Sequence, residues 1–340
     1  MPAPHQPPFT ITPRIVSQVA EICERVGSWS NRGSEGISPR LRKENRIRTI
    51  QASLAIENNT LSIDQVTAIL EGKRVLGSPR EIQEVRNAID CYDRFGNWQP
   101  TSVEDFLAAH KIMMRALVDE AGSFRRGGVG IYRGDQLVHM APPAGRVEHL
   151  VQDLFGWAAT TEHHPLIASS ILHYEIEFIH PFADGNGRMG RLWQSLALAS
   201  WHAELAYLPV ESLISERQTD YYAALGESDR RADASPFVEF MLATIHDALA
   251  ELPATDQVTD QVTDQVTDQV KMLAGCISDT EEVTAAELMK RLDLKHKPSF
   301  RQSYLLPALA AGWVEMTDPA SPRSPAQRYR LTKRALRRKR

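Results

Sequence analysis

The sequence predicts a mainly α-helical fold, with a large helical body and a small C-terminal domain that combines helices with short strands. Apolar residues recur at helical spacing through most of the chain. Glycine and proline cluster between residues 122 and 145, and few segments resemble buried parallel strands. The chain has 340 residues, of which 42% are hydrophobic and 24% are charged. This composition is typical of globular domains and excludes a wholly disordered chain.

The charge is distributed unevenly along the chain. Residues 271–340 contain 15 Lys and Arg against 7 Asp and Glu, a net charge of +8, whereas residues 1–270 carry −12. The total is −4, which excludes binding of nucleic acid or of an anionic membrane through the charge of the whole molecule. We therefore expect the acidic body and the basic tail to have different roles.

The cysteines and the N-terminus indicate where the protein works. Cys23, Cys91 and Cys276 are far apart, so neither a disulfide framework nor a cysteine-rich zinc site is predicted, and a reducing compartment is favoured. The N-terminus lacks the basic and apolar regions of a signal peptide, and no stretch reaches about 18 apolar residues. We predict a cytoplasmic protein without a membrane partner.

The body divides into an N-terminal helical region, residues 1–95, and a core, residues 96–250. The N-terminal region has two sets of apolar residues at helical spacing: Ile47, Ile50, Leu54 and Leu61, and Ile82, Val85 and Ile89. In the core, Thr101–Glu104 has the signature of a helix start. The interval Gly122–Gly145 predicts a loop or a hairpin, and helical spacing returns at Val147–Trp157.

The chain ends in a repeat and a basic domain. Within residues 251–270, Thr-Asp-Gln-Val occurs four times in tandem, which predicts a solvated helix or linker that acts as a spacer. Residues 271–340 predict three helices and two strands, the outline of a winged-helix domain. The helices are predicted at about 271–276, 284–292 and 298–311, and the strands near Gly312–Val314 and Tyr329–Leu331.

A twelve-residue segment, HPFADGNGRMGR, concentrates the chemistry. It contains a candidate base, His180, and a carboxylate that can hold Mg²⁺, Asp184. Glycines before a helix, here Gly185–Gly187, leave backbone N–H groups free to bind a phosphate. Arg188 and Arg191 lie three residues apart, on one helix face, where they can bind further phosphates. The segment therefore predicts a site for a polyphosphate with magnesium.

Two other interpretations of this segment are weaker. Gly185, Gly187 and Gly190 have the spacing of a dinucleotide-binding fingerprint, and residues 172–178 alternate as in a strand. That fingerprint needs a βαβ unit, whereas the surroundings read as helical, and it does not explain His180. The second interpretation is a polar loop in which the glycines only turn the chain. It leaves the other polar residues of the segment unexplained.

At these residues the chain resembles the Fic family, whose signature H-x-F-x-[DE]-G-N-G-R-x-x-R is matched in full by residues 180–191. The resemblance extends to Ser53–Asn58, which matches the inhibitory motif [ST]-x-x-x-E-[GN], to a flap-like stretch at His139–Val147, and to Tyr221-Tyr222. The basic tail resembles the C-terminal winged-helix domain of many bacterial members.

The resemblance implies a Fic-type helical core with a flap hairpin that aligns the target segment by strand addition. It also implies transfer of AMP from ATP to a Tyr, Ser or Thr hydroxyl of a target protein, with release of pyrophosphate. It implies that His180 is the general base and that Asp184 holds Mg²⁺. It further implies that ATP is bound by the residues that align with the signature and by the tyrosine that lines the adenine site: Gly185, Asn186, Gly187, Arg188, Met189, Gly190, Arg191 and Tyr222.

The resemblance also implies autoinhibition. Glu57, with Ser53 one turn earlier on the same helix face, is expected to pair with Arg191 and keep the γ-phosphate from docking. Asn58-Asn59 predicts a left-handed end to this helix, which would leave Glu57 at the helix end. Taken alone, a glutamate near a helix end is usually a solvated charge. The same carboxylate can instead position a water molecule that removes AMP, which would make the protein a de-AMPylase.

The partners expected are ATP and a target protein. The tail leaves open a DNA or protein partner, and the main alternative function is a DNA-binding winged-helix regulator. A homodimer is also left open.

Overall fold

The computed structural model describes residues 6–30, 39–133, 136–251, 268–278, 281–292, 294, 300, 304–305, 308–309, 312–317, 327–332 and 335. The chain forms two compact units, residues 1–252 and residues 253–340. Each unit has a hydrophobic core of its own.

Where it is described, the first unit is helical apart from one hairpin, so the predicted fold class is confirmed. Its helices and strands follow in this order: α1 (Pro13–Ser30), α2 (Pro39–Ile56), α3 (Ile63–Leu70), α4 (Pro79–Asp93), a 3-10 turn (Phe95–Asn97), α5 (Val103–Met113), β1 (Gly130–Arg133), β2 (Gln136–Met140), α6 (Ala144–Thr160), α7 (Pro165–Ile179), α8 (Asn186–Trp201), a second 3-10 turn (Ala203–Tyr207), α9 (Val210–Glu216), α10 (Gln218–Arg231) and α11 (Ser235–Glu251).

The helical spacing of the N-terminal region corresponds to real helices. Ile50 and Leu54 are buried on α2, and Val85 is buried on α4. The predicted helix start before α5 is also confirmed, because the Ser102 hydroxyl accepts a hydrogen bond from the Asp105 N–H at 3.1 Å. Such a cap satisfies a backbone donor that has no partner within the helix.

The interval Gly122–Gly145 contains the hairpin β1–β2, as expected, but the flap-like stretch was placed too late in the sequence. The antiparallel pairs run from Gly130 opposite Met140 to Arg133 opposite Gln136, and Ala144 already begins α6. Pro142 and Pro143 end the strand, since proline cannot donate to a strand ladder and suits the entry to a helix. Of the stretch 139–147, only His139 and Met140 belong to the hairpin.

Helices α7 and α8 pack against each other at the centre of the unit, and α7 also packs against α6 and α11. Residues 172–178, which alternate like a strand, lie within α7. Helix α7 is buried on most of its surface, so its apolar residues show no single period. Because a helix, α7, and not a strand leads directly into the glycines, the dinucleotide-binding interpretation is excluded.

The second unit contains two helices and a three-stranded sheet in its described part. These are α12 (Asp268–Gly275), β3 (Val283–Thr284), α13 (Ala285–Arg291), β4 (Val314–Met316) and β5 (Arg328–Leu331), with strand order β3-β5-β4. Strand β3 was not predicted. Its residue Thr284 also caps α13 through a capping box with Glu287, and this helix-start signal obscured the strand.

Two predicted features lie mainly outside the described residues: the Thr-Asp-Gln-Val repeat and the third tail helix. Where the chain is described, no helix is both long enough and apolar enough to span a membrane. Cys23, Cys91 and Cys276 are not joined in disulfides.

Candidate active site

The segment HPFADGNGRMGR connects α7 to α8 through two residues with left-handed backbone. His180 has φ 49°, and its N–H still bonds to the Ile176 carbonyl at 3.0 Å, which ends α7. Gly185 has φ 87° and precedes α8, and a Cβ at this position would lie 2.7 Å from Met114 Sδ. Glycine is therefore required there. The two turns place His180 and Gly187 on one cavity.

Buried side chains hold the loop in this shape. The Phe182 ring stacks on the His110 ring with centroids 3.6 Å apart. The Asn186 side chain accepts from the Phe182 N–H at 2.8 Å and donates to the Phe182 carbonyl at 2.9 Å. Asn186 therefore uses its side chain within the loop and has only its backbone N–H for an anion. Nδ1 of His110 accepts from the Gly122 N–H, so Nε2 donates to the Asp184 carbonyl at 3.0 Å.

A second support is Arg125, which is buried beside the C-terminus of α7. Its guanidinium donates to the carbonyls of His180 at 2.7 Å and Ile179 at 3.3 Å. It also donates to the carbonyls of Gly127 and Pro142, which lie before β1 and after β2. A cation is favourable at a helix C-terminus. Arg125 thus joins both ends of the hairpin to the loop that carries His180.

A cavity of about 520 Å³ opens beside the loop. This volume is within the usual range for small-molecule sites. Five of the predicted residues line this cavity: His180, Gly187, Arg191, Glu57 and Tyr222. Others come from the hairpin, α7 and α10: His139, Tyr174, Glu177, Phe178, Tyr221 and Asp229.

His180 has the protonation state that a general base needs. Burial lowers the pKa of His180 to about 4, although a hydrogen bond with the Glu177 carbonyl opposes this effect. The imidazole is therefore neutral at pH 7. Nδ1 lies 3.3 Å from that carbonyl, which can only accept, so Nδ1 carries the proton. Nε2 is left to accept a proton from a substrate.

Arg191 is buried and is held by the end of α2. Its NH2 group donates to Glu57 Oε1 at 2.7 Å and to the Ser53 carbonyl at 3.0 Å, and its Nε donates to the Ser53 hydroxyl at 3.1 Å. Helix α2 ends at Ile56, and Asn58 has φ 67°, so the predicted helix end is confirmed. Burial would lower the pKa of Arg191, but the charge and hydrogen bond of Glu57, together with Tyr221 and the Glu177 charge, outweigh burial and raise this pKa.

The Glu57 carboxylate also lies against the first turn of α8. A Cβ added to Gly187 would collide with Glu57 Oε1 and would lie 3.0 Å from an Arg191 nitrogen. The N-terminus of a helix carries partial positive charge and free N–H groups, which favour anions. Glu57 therefore occupies the position where a phosphate would be most favourable.

Glu177 is a second carboxylate on this cavity, and sequence reasoning missed it. Its Oε1 accepts from the Tyr221 hydroxyl at 3.2 Å. Burial raises the pKa of Glu177 to about 7, although the Arg191 charge opposes this effect. Glu177 precedes His180 by three residues, so helical spacing was the signal that could have revealed it.

Asp184 and Arg188 form a separate group that contacts α4. Asp184 Oδ1 accepts from Arg188 at 3.1 Å, and its Oδ2 lies 3.4 Å from Arg80. Arg188 is 3% exposed, and its Nε and NH1 atoms have no hydrogen-bond partner among the described residues, although NH1 lies 3.8 Å from the Glu84 carboxylate. Buried donors of this kind suit an anion such as a phosphate. Arg80 was also missed, and its sequence context contains no signal for it.

The donor set fits Mg²⁺ in one way only. No cluster of three or more His, Cys, Asp or Glu side chains in the described part of the chain can hold a metal. The Asp184 side chain is 42% exposed, however. Mg²⁺ is commonly bound by one or two carboxylates together with substrate phosphates and water. Asp184 beside the unpartnered Arg188 donors fits that arrangement.

Met189 and Gly190 do not line the cavity. Met189 is fully buried in the hydrophobic core. Gly190 packs against His173, and a Cβ there would lie 2.6 Å from the His173 ring. His173 itself is structural, because Gln194 and Tyr221 contact its two ring nitrogens. The spacing of the signature did not reveal which of its residues face the core.

Comparison with known proteins agrees with this geometry. The profile of the Fic/DOC family matches residues 100–198, and the profile "Filamentation induced by cAMP protein Fic-like, C-terminal domain" matches residues 268–332. The crystal structure of a Fic family protein from Desulfovibrio desulfuricans G20 is 58% identical, with a TM-score of 0.74. The match covers 97% of this chain and 99% of that chain. The chain belongs to the Fic family.

Curated relatives of this Fic protein are named protein adenylyltransferases. Protein adenylyltransferase fic-1 of Caenorhabditis briggsae is 32% identical over 215 residues, which is 59% of this chain and 40% of the relative. Protein adenylyltransferase Fic of Drosophila melanogaster is 30% identical over 221 residues, which is 61% of this chain and 42% of the relative. The Fic protein thus spans about 40% of the length of these relatives.

A solved structure of Fic-1 from C. elegans shares the fold of this Fic protein. It is 24% identical, with a TM-score of 0.57, and the match covers 69% of this chain and 71% of that chain.

Proposed function

We propose that this Fic protein is an adenylyltransferase that transfers AMP from ATP to a Tyr, Ser or Thr hydroxyl of a target protein, and that Glu57 keeps it autoinhibited. The observation that carries the proposal is one cavity shared by neutral His180, the N-terminus of α8 and Arg191. A hydroxyl nucleophile needs a neutral base, and a triphosphate needs positive charge beside it.

In the proposed reaction, His180 accepts the hydroxyl proton at Nε2. The hydroxyl oxygen bonds to the α-phosphorus of ATP, while the bond from that phosphorus to the oxygen bridging to the β-phosphorus breaks. Pyrophosphate leaves with the electron pair of that bond, and the proton passes from His180 to solvent. Such phosphoryl chemistry depends mainly on positioning and on charge stabilisation.

The phosphates would be bound by the backbone N–H groups at the start of α8 and by Arg188 and Arg191. The unpartnered donors of Arg188 support its part in this site. Asp184 would hold Mg²⁺, which when bound neutralises charge on the phosphates. The phosphates and the Glu57 carboxylate compete for the α8 N-terminus and for Arg191, and this competition is the proposed basis of autoinhibition.

The proposal is tested with ATP labelled on the α- or the γ-phosphate, incubated with the wild type and the Glu57→Gly variant. We expect protein labelling from α-labelled ATP only, and more of it with the variant. The matched control is Glu57→Gly combined with His180→Ala, which should incorporate no label. Labelling from γ-labelled ATP would indicate a kinase, and no labelling in the presence of a native lysate would overturn the proposal.

Removal of AMP is the second candidate activity. It is favoured by the Glu57 carboxylate, whose side chain is 32% exposed and lines the same cavity as His180. A wild-type protein that releases AMP from labelled target, with Glu57→Gln inactive, would support it. If the two proteins release AMP equally, Glu57 has no part in removal.

We propose that the chain has four segments: an N-terminal region at 1–95, a catalytic core at 96–250, a linker at 251–270 and a winged-helix domain at 271–340. The profile match at 268–332 and the strands beside α13 support the winged-helix domain. Duplex DNA that is shifted by the full chain at low salt, and released as salt rises, would support the DNA-binding alternative. The homodimer and the cytoplasmic location stay predictions.

A further inference from the structure

One histidine fastens the hairpin to two helices. His139, at the end of β2, contacts the Phe178 carbonyl of α7 through Nε2 at 2.8 Å and Asp229 Oδ2 of α10 through Nδ1 at 2.8 Å. The other Asp229 oxygen, Oδ1, accepts from the Tyr174 hydroxyl at 2.9 Å. The His139 side chain is 10% exposed, and its ring meets the Phe178 ring edge-on at 5.1 Å.

Both contacts require His139 to donate. A peptide carbonyl and a carboxylate only accept hydrogen bonds, and a neutral imidazole has a single N–H. The two bonds therefore form together only when both ring nitrogens of His139 carry protons. The site suits that cation, because Phe178 lies in the last turn of α7, where the helix dipole favours positive charge.

We propose that His139, as an imidazolium, is a positioning residue that holds β2 against α7 and α10 and so keeps the hairpin aligned for the target segment beside His180. This inference rests on the proposed function, because a hairpin edge that aligns a target by strand addition matters only for a protein substrate. Loss of the imidazolium would leave one of the two acceptors without a donor.

The titratable groups around His139 come from several elements. The groups on α7, at its C-terminal end and on α10 are Tyr174, Glu177, His180, Tyr221, Tyr222, Glu227, Asp229 and Arg230. Arg191 of α8 and Glu57, after the end of α2, line the same cavity. Burial alone would lower the pKa of His139. The hydrogen bond and the charge of Asp229, the Phe178 carbonyl and the Glu177 charge outweigh burial and raise this pKa above 6.5.

The pH dependence follows from the direction of that shift. The stabilisation from both bonds is fully present below pH 6.5, the ordinary pKa of the group, and is lost as the pH rises through the raised pKa of His139. Glu177 titrates in a neighbouring range, because burial raises its pKa to about 7. The Glu177→Gln background removes this second titration from the measurement.

The Asp229→Asn variant separates the imidazolium from a merely structural histidine. An asparagine amide can donate to Nδ1 of a neutral His139, and its carbonyl oxygen can still accept from the Tyr174 hydroxyl. Neutral His139 then keeps both bonds, with Nε2–H on the Phe178 carbonyl. At a high pH the protein with Asp229 should release the hairpin. Asp229→Asn should keep the hairpin docked at that same pH.

The first experiment is an NMR titration of full-length Glu177→Gln protein with ¹³C-labelled histidine, in which His139→Gln identifies the signal. We expect the His139 midpoint above pH 6.5 and a fall of at least one pH unit with Asp229→Asn. A midpoint at or below 6.5, or one that Asp229→Asn does not move, overturns the proposal. This readout needs no catalysis, so it stands even if the proposed function fails.

The second experiment measures transfer of α-labelled AMP onto the protein itself in the Glu57→Gly/Glu177→Gln background. We expect the rate to fall as the pH rises, with the same midpoint as the titration of His139. Asp229→Asn should move this fall to higher pH. His139→Gln should lower the rate about tenfold at pH 6.5, the order expected for loss of one charge-assisted hydrogen bond. If the rate of the Asp229→Asn variant falls at the same alkaline pH, the hairpin contact does not control transfer.

Discussion

The Arg191 guanidinium lies 2.7 Å from the Glu57 carboxylate, and the two groups differ in their access to solvent. Arg191 is 2% exposed, whereas the Glu57 side chain is 32% exposed and remains on the cavity. A charge-assisted hydrogen bond of this kind contributes about 1.5–3 kcal/mol. The contact is therefore strong enough to hold Arg191 in the resting protein and weak enough for a polyphosphate to displace.

Replacement of Glu57 by glycine should raise AMP transfer. Loss of the carboxylate frees Arg191 and the α8 N-terminus, so the population of productively bound ATP should increase about 10- to 100-fold. The measurement is the initial rate of labelling with α-labelled ATP. Glu71→Gly is the matched control, since Glu71 follows the end of α3 as Glu57 follows α2. An unchanged rate in Glu57→Gly would show that Glu57 does not inhibit.

Arg191→Ala should have the opposite consequence, because it removes the inhibitory contact together with a phosphate ligand. We expect weak transfer in Arg191→Ala and the same weak transfer in Arg191→Ala/Glu57→Gly. If the double variant were as active as Glu57→Gly, Arg191 would not bind the nucleotide.

Loss of the His180 imidazole should abolish transfer but leave ATP binding intact. A positioned general base contributes about 10²–10⁴-fold, so His180→Ala in the Glu57→Gly background should lose at least 10²-fold in rate. Calorimetry should give a similar ATP affinity for both proteins. The control is His149→Ala, because the His149 side chain is exposed on α6. Because the pKa of His180 is about 4, its protonation should cause no loss of rate between pH 7 and pH 5.5. Near-normal transfer by His180→Ala would exclude it as the base.

Asp184 should determine the magnesium requirement. We expect Asp184→Ala to raise the Mg²⁺ concentration needed for half-maximal transfer about tenfold, with only partial recovery at high Mg²⁺, because the phosphates still supply ligands. Asp93→Ala, at an exposed aspartate paired with Arg46, should leave the requirement unchanged. Transfer that is independent of Mg²⁺ in the wild type would contradict this role.

Glu177 should make the stability of the protein depend on pH. The pKa of Glu177 is raised from 4.5 to about 7, so the folded state binds its proton more tightly, and stability is lost as the pH rises between these values. Glu177→Gln mimics the protonated form. Between pH 5 and pH 8 the wild type should lose about 2 kcal/mol more than the variant in urea unfolding. Glu44→Gln is the exposed control, and equal losses in all three proteins would contradict the prediction.

Local patterns were sufficient to predict the helices around the site and the ends that matter for it. The apolar spacing in α2, the Ser102 cap and the Asn58 turn each depend on residues close in sequence, and each is found in the structure. The hairpin lies within the predicted interval Gly122–Gly145, but the flap-like stretch His139–Val147 begins too late. Pro142-Pro143 is compatible both with a turn in a loop and with the boundary between a strand and a helix.

The residues that sequence reasoning missed act through contacts between distant segments. Arg125 binds carbonyls 54 and 55 positions away, and Arg80 approaches Asp184 over 104 positions. No local pattern contains such a contact. Arg188 illustrates the same limit. The signature contains the residue, but the packing of α4 on α8 determines that NH1 faces Glu84 and that Nε has no hydrogen bond among the described residues.

The way Arg125 joins Gly127 and Pro142 to the His180 carbonyl has a consequence for how such a protein can diversify. The two ends of the hairpin are fixed to the reactive loop through their main-chain carbonyls, which residues of any type supply. Substitutions between these anchors can change the choice of target and leave the reactive loop where it is. Under the proposed function, selection for a new target can thus act on the hairpin residues other than His139 while Arg125 keeps the loop in place.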